Sequence, residues 1–129
     1  MSFSHPVRVY YEDTDLAGIV YYANYLKFIE RARSEWIRAL GVDQLALKSQ
    51  FGIVFAVRRV VADYLRSAVF DDLLAVSCTL VSVGGARIDL QQSVVRGDEV
   101  LFTAEVTLVC IGADGRAARL PDHLRAALK

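Results

Sequence analysis

The segment Asn24-Tyr25-Leu26-Lys27-Phe28-Ile29-Glu30-Arg31-Ala32-Arg33-Ser34-Glu35-Trp36-Ile37-Arg38-Ala39-Leu40-Gly41 sets the architecture of this chain. Its apolar residues Tyr25, Phe28, Ile29, Ala32, Trp36, Ile37 and Leu40 recur at steps of three and four, while Lys27, Glu30, Arg31, Arg33 and Arg38 fill the other faces. That spacing places the apolar side chains on one stripe of an amphipathic helix. Asn24 is a candidate N-cap and Gly41 a stop, which bounds a helix of about 17 residues, roughly 25 Å long. A helix of that length crosses a whole sheet. Glu30 and Arg33, one turn apart, are expected to pair on its surface. A shorter helical stretch from Asp43 to Ser49 is expected before Gly52.

On either side of these helices the pattern is that of strands. Val7, Val9 and Tyr11 alternate with Arg8 and Tyr10, so Pro6 to Tyr11 reads as a half-buried strand. Ile53 to Leu65 is rich in β-branched residues and interrupted only by Arg58-Arg59. Three further strands each keep one parity: Leu74, Val76, Cys78 and Leu80; Ile88, Leu90, Gln92 and Val94; and Val100, Phe102, Ala104, Val106, Leu108 and Cys110. Gly84-Gly85, Gly97-Asp98 and Asp114-Gly115 fall where the chain must reverse, which predicts antiparallel hairpins. The order is strand, long helix, then a run of antiparallel strands: an α+β domain over residues 1–129 whose helix covers one face of a sheet.

Composition narrows the function. The 129 residues hold 15 Lys+Arg against 15 Asp+Glu with no block of like charge, so no basic stripe offers itself to nucleic acid or anionic lipid. No apolar run approaches the roughly 20 residues a bilayer needs, and the N-terminus lacks the charged and apolar regions of a secretory signal. The expected compartment is the cytoplasm, without membrane insertion. Cys78 and Cys110 sit at apolar strand positions without CxxC spacing, as structural filler. A mean hydropathy of +0.32 is high for so small a chain and points to oligomerisation, since subunit interfaces absorb apolar surface.

The segment with unusual chemistry lies between the first strand and the helix: Tyr11-Glu12-Asp13-Thr14-Asp15-Leu16-Ala17-Gly18-Ile19-Val20-Tyr21-Tyr22-Ala23-Asn24-Tyr25. An Asp-rich solvated turn is the plain reading of its carboxylates. The apolar residues around Tyr21-Tyr22 and the helix that follows argue for more. A helix start carries unpaired N–H groups and a dipole that favours negative charge. A carboxylate facing such a start can serve attack on a carbonyl whose oxygen accepts those N–H bonds.

From Val7 through Asp13-Thr14-Asp15, Gly18-Ile19-Val20-Tyr21, Asn24-Tyr25, Glu30-Arg31-Ala32-Arg33 and Glu35-Trp36, and on through Asp63-Tyr64-Leu65, Asp71-Asp72 and Arg119-Leu120-Pro121, the chain resembles the Tol-Pal-associated acyl-CoA thioesterases, part of the wider 4-hydroxybenzoyl-CoA thioesterase family. The resemblance implies the hotdog fold, an antiparallel sheet wrapped around a long central helix. It also implies dimers with active sites at subunit interfaces, usually paired into homotetramers, and cytoplasmic hydrolysis of acyl-CoA without a cofactor.

Carried over on the motif, the catalytic aspartate falls on Asp15. An aspartate is ionised at neutral pH unless burial raises its pKa strongly, so Asp15 either attacks the thioester carbon or deprotonates a water that does. The main-chain N–H that polarises the thioester carbonyl falls on Tyr22. Many Tol-Pal-type members carry histidine there and the hydroxybenzoyl-type enzymes tyrosine; the ring either packs against an aryl acyl group or belongs to the core. Gly18, Val20 and Tyr25 of the same motif are carried as substrate-binding positions, Gly18 where the chain turns tightly. Glu12 and Asp13 are read as structural, tuning Asp15 by like charge or capping a turn. Coenzyme A brings phosphates, for which Arg58, Arg59 and Arg87 are candidate partners, each equally readable as a solvent-exposed or interface arginine. Gly84-Gly85-Ala86 lacks the cations that hydroxybenzoyl-type enzymes place at this turn. Ser67 replaces a proline common in the family, read as a local loop change.

A metal-binding reading of Asp13-Thr14-Asp15 fails on context, since His5 and His123 lie near the ends and no further ligand presents itself. GxSxG, HExxH, P-loop and GxGxxG motifs do not occur. Two other functions compete: an acyl-thioester dehydratase, which calls for a histidine near the helix that this chain lacks, and a non-catalytic acyl-CoA or acyl-carrier-protein scaffold linked to envelope or phospholipid metabolism.

Overall fold

The computed structural model describes residues 2–128. In chain order the elements are β1 (Ser2–Arg8), α1 (Asn24–Ala39), α2 (Gln44–Phe51), β2 (Val54–Tyr64), β3 (Leu73–Val83), β4 (Arg87–Arg96), β5 (Glu99–Ile111) and α3 (Asp122–Ala127). The strands form one antiparallel five-stranded sheet in the order β1-β3-β4-β5-β2. Helix α1 packs over β1, β3 and β4. Phe28, Ile29, Ala32, Trp36 and Ile37 meet Leu74, Val76, Leu90 and Val94 of the sheet in a single buried cluster. This is the expected α+β arrangement of a long helix wrapped by a sheet.

The C-terminal end of α1 is closed by Gly41. With φ at +82° it takes the left-handed conformation that favours glycine. The Gly41 N–H donates to the Arg38 carbonyl at 3.0 Å and the Val42 N–H to the Ile37 carbonyl at 3.3 Å, a Schellman closure whose apolar partners Val42 and Ile37 are both buried. The other end departs from expectation. Asn24 is the first helical residue and not the cap: Ala23 takes the cap position without any side-chain bond, and the buried Asn24 Nδ2 donates to the Asp13 carbonyl at 2.9 Å.

Four further expectations are corrected. The first strand ends at Arg8, because the Asp13 carboxylate accepts the Tyr10 N–H at 2.8 Å and turns Tyr11–Asp13 into one tight helical turn, leaving Tyr11 in solvent. In β5 the register shifts between Val94 and Val95, where Val94 faces Phe102 and Val95 faces Val100. The extra residue, Leu101, is buried and Val100 is exposed, since a bulge reverses the parity of what precedes it. Asp114-Gly115 reverses the chain as expected, but into a short return and not a full strand: Ile111 bridges Ala117, and the Gly112 and Ala118 N–H groups donate to the Arg116 and Cys110 carbonyls, each at 2.9 Å. Glu30 and Arg33 do not pair. Glu30 accepts from Ser34 Oγ at 3.0 Å, while Arg33 turns inward and Nη1 donates to Gln92 Oε1 at 3.0 Å. Gln92, wholly buried, donates in turn to the Ile29 carbonyl at 2.9 Å, which ties the middle of α1 to β4.

Cys78 and Cys110 are free and buried, and burial pushes their thiols up to about 12 and about 11. Both are therefore protonated packing groups at neutral pH. The edge strand β2 has an unpaired side and shows Val57, Val60 and Val61 to solvent. Proline at position 6 lies in the opposite edge strand, β1, where an absent N–H costs no ladder bond.

Candidate active site

The loop before α1 is built by local hydrogen bonds. Gly18 N–H donates to the Asp15 carbonyl and Asp15 N–H to the Ile19 carbonyl, each at 2.9 Å, with Gly18 at φ +82°. This is a three-residue hairpin loop, a turn closed by a left-handed glycine. The Asp15 carboxylate contributes one oxygen to it, Oδ1 accepting from the Ala17 N–H at 3.0 Å. Among the described residues, Oδ2 has no partner. The turn thus uses one oxygen of the Asp15 carboxylate and leaves the other over.

Asp13 behaves differently. Its carboxylate is spent on the Tyr10 N–H, and its carbonyl accepts both the Tyr21 N–H and the Asn24 side chain, each at 2.9 Å. Asp13 is a buried structural residue that fastens the Asp15 loop to the start of α1.

Asp15, Val20, Tyr22 and Tyr25 line one cavity of about 300 Å³, together with Tyr64 and Arg66. Val20 and Tyr25 form its floor: the Val20 N–H donates to the Ala68 carbonyl at 2.9 Å, and Tyr25 Oη accepts the Ala68 N–H at 3.0 Å. The Tyr25 ring stacks on Phe102 with centroids 5.1 Å apart, and burial raises its phenol above the ordinary range. At the rim, the Tyr21 carbonyl accepts the Asn24 N–H at 2.9 Å, which fixes the peptide that carries the Tyr22 N–H. Among the described residues, neither the Tyr22 nor the Ala23 N–H reaches a protein acceptor. Ala23 holds the cap position of α1 and Tyr22 the residue before it, so both donors stand in the turn that leads into the helix.

The remaining candidates lie elsewhere. Gly18 shapes the turn but does not line the cavity. Arg58 and Arg59 are exposed on β2, where the pairing with β5 shifts register between Val57 and Arg59. Arg87, at the start of β4, has Nε 3.2 Å from Asp89 Oδ2; hydrogen bonds from Ser82 and Thr107, with Arg87 adding to them, hold the Asp89 carboxyl below its ordinary value. The cation at the cavity is Arg66, which the sequence reading passed over. Ser67 also lines the cavity, and its carbonyl takes Arg96 Nη1 at 3.2 Å. Arg96 also grips Asp72 at 2.8 Å and Glu99 at 3.0 Å, pinning the 66–72 loop that forms the far wall. Among the described residues no three His, Cys, Asp or Glu side chains gather as a metal site.

A free carboxylate oxygen and an uncapped helix start on one small cavity suit acyl-transfer chemistry on a hotdog fold. The family comparison agrees: the model of the thioesterase-like superfamily matches residues 9–128. The chain belongs to that superfamily, and it is a thioester hydrolase. It is similar to the acyl-CoA thioesterase YbgC of Haemophilus influenzae, 44% identical over 109 residues that make 84% of this chain and 80% of that protein. The acyl-CoA thioester hydrolase YbgC of Escherichia coli O6:H1 is 40% identical over 110 residues, 84% and 81% of the two chains. Among solved structures, a probable thioesterase from Bartonella henselae superposes with a TM-score of 0.89 at 36% identity, covering 94% of this chain and all of the other.

Proposed function

We propose that the substrate is an acyl-CoA, hydrolysed to the free acid and coenzyme A at the cavity between Asp15 and the start of α1. The observation that carries this reading is the pairing of an unpartnered carboxylate oxygen, Asp15 Oδ2, with Tyr22 on one cavity wall. The Tyr22 N–H polarises the thioester carbonyl and stabilises the oxyanion as it forms. Asp15 either attacks the carbonyl carbon, expelling the coenzyme A thiolate and leaving an anhydride that water opens, or takes a proton from the attacking water. No cofactor enters either route.

The site is completed in an oligomer. The open edge of β2, with its exposed valines, is a template for a second copy, and Arg58 and Arg59 on that strand would meet coenzyme A phosphates at such an interface. We extend this to a dimer of dimers, with Arg87 as a further phosphate contact. The motif from Asp13 to Tyr25 supports assignment to the Tol-Pal-associated branch, and an acyl carrier protein is an alternative bearer of the acyl group. Two free buried cysteines fit the reducing cytoplasm.

The test is thiol release from acetyl-, butyryl-, long-chain and hydroxybenzoyl-CoA by the wild type and by Asp15→Asn. The amide keeps an oxygen for the Ala17 N–H, so the variant folds with an unchanged melting temperature. Its kcat falls on the order of a thousand-fold. Full turnover in the variant sinks the role of Asp15. A wild type inert on every coenzyme A and carrier-protein thioester favours the scaffold function.

A further inference from the structure

We infer that Tyr64 is a positioning residue, whose hydroxyl holds the Tyr22 backbone in the conformation the reaction uses. This rests on the reading of the cavity as the catalytic site. Tyr64 Oη donates to the Tyr22 carbonyl at 3.0 Å across 42 residues of sequence. The helix does not bond that carbonyl, because the Leu26 N–H, which would reach it in a regular helix, donates instead to the Ala23 carbonyl at 3.2 Å. Among the described residues, Tyr64 is the donor that remains.

The two peptides flanking the Tyr22 Cα are thus fixed from opposite sides. Asn24 N–H holds the peptide bearing the Tyr22 N–H, and Tyr64 holds the peptide bearing the Tyr22 carbonyl. With both planes fixed, φ and ψ of Tyr22 are fixed, and its N–H is set before substrate arrives. A preorganised donor stabilises an oxyanion without reorganising during the reaction. The same hydroxyl polarises the Tyr22–Ala23 peptide, so the free Ala23 N–H beside it becomes a stronger donor.

The brace has a rigid base. The Tyr64 ring stands edge-on to Phe102 with centroids 5.0 Å apart and to Tyr25 at 5.5 Å, and Phe102 is fully buried. Its other flank meets the Tyr22 ring at 6.2 Å. Phenylalanine at position 64 keeps all these ring contacts and removes the hydrogen bond alone. A purely packing role for Tyr64 therefore predicts that Tyr64→Phe behaves as wild type.

The experiment compares wild type, Tyr64→Phe and Tyr64→Leu by thioester hydrolysis, melting and amide spectra. For Tyr64→Phe we expect kcat to fall about fivefold to tenfold, with KM within twofold and the melting temperature within a few degrees. The Tyr22 and Ala23 amide signals shift and exchange faster with solvent. Tyr64→Leu, which loses the ring as well, lowers stability and raises KM in addition. An unchanged kcat in Tyr64→Phe overturns the proposal, as do unmoved Tyr22 and Ala23 amides. Wild-type protein inert on every thioester ends the catalytic reading itself, a failure separate from these because the amide signals still show whether the brace exists.

Discussion

The two ends of α1 are finished in opposite ways. At the C-terminal end, Gly41 and Val42 close the helix onto Arg38 and Ile37, and Trp36 anchors the last turns in the core. At the N-terminal end no side chain caps the helix, and the Tyr22 and Ala23 amides face no protein acceptor among the described residues. An absent N-cap costs about 1 kcal/mol, so leaving one out is a sacrifice of stability. One end is closed by its own backbone bonds, and the other leaves the Tyr22 amide beside the cavity. The side chains that bond at this end serve carbonyls and not the helix amides: Asn24 Nδ2 donates to the Asp13 carbonyl and Tyr64 Oη to that of Tyr22.

On that division, the largest loss of stability comes from the closed half and leaves the chemistry intact. Trp36 is almost wholly buried, and its Nε1–H finds no acceptor among the described residues, so the ring contributes through packing alone. Trp36→Ala is expected to cost about 3–5 kcal/mol in urea unfolding. Measured below its midpoint, the folded fraction retains kcat within about twofold. A kcat that collapses with the fold still intact would break the comparison, showing that the two ends are mechanically one.

The open end gives the converse. Asn24→Ala leaves the Asp13 carbonyl bonded to the Tyr21 N–H, so no buried acceptor is orphaned, and the expected stability loss is about 1 kcal/mol. What goes is the side-chain tether between the Asp15 loop and α1. Displacement of reacting groups is costly, and kcat is expected to fall on the order of tenfold at unchanged fold. Lost stability with kcat preserved would reduce Asn24 to a packing residue.

How much of this was legible follows the same line between local and distant causes. The helix was readable because the steps from Tyr25 to Leu40 are a local periodicity, and Gly41 because a stop is a single-residue property. Asn24 misled because an amide that suits an N-cap equally suits a tether, and its partner Asp13 lies outside the helix. Arg33 misled for a related reason: Glu30 is its neighbour in sequence, while Gln92, its partner, lies 59 residues away across the sheet. The Leu101 bulge depends on how β4 and β5 align, which no single strand records. At the site, Asp15, Val20, Tyr22 and Tyr25 were named because one contiguous motif carries them. Tyr64, the last residue of β2, and Arg66, two residues beyond it, reach the cavity only through topology; an aromatic at a strand end beside a cation was the signal available. Arg58 and Arg59 were singled out as cations interrupting a strand, before the sheet order put that strand at an edge.

The finest test is Gly41→Ala. Nothing lies within 4 Å of where a Cβ would sit, so the substitution meets no clash, and the whole cost arises from holding an L-residue at φ +82°. That cost is about 1 kcal/mol. The Schellman bonds at Arg38 and Ile37 should survive, and with them the packing of Val42. Thioester turnover and the Tyr22 amide signal are expected to match wild type, because strain at the closed end has no route to the open one except through a helix that Gln92 already ties to β4 at its middle. A change in kcat beyond about twofold from so small and so distant a perturbation would mean that α1 transmits strain along its length, and that its two ends are not independent after all.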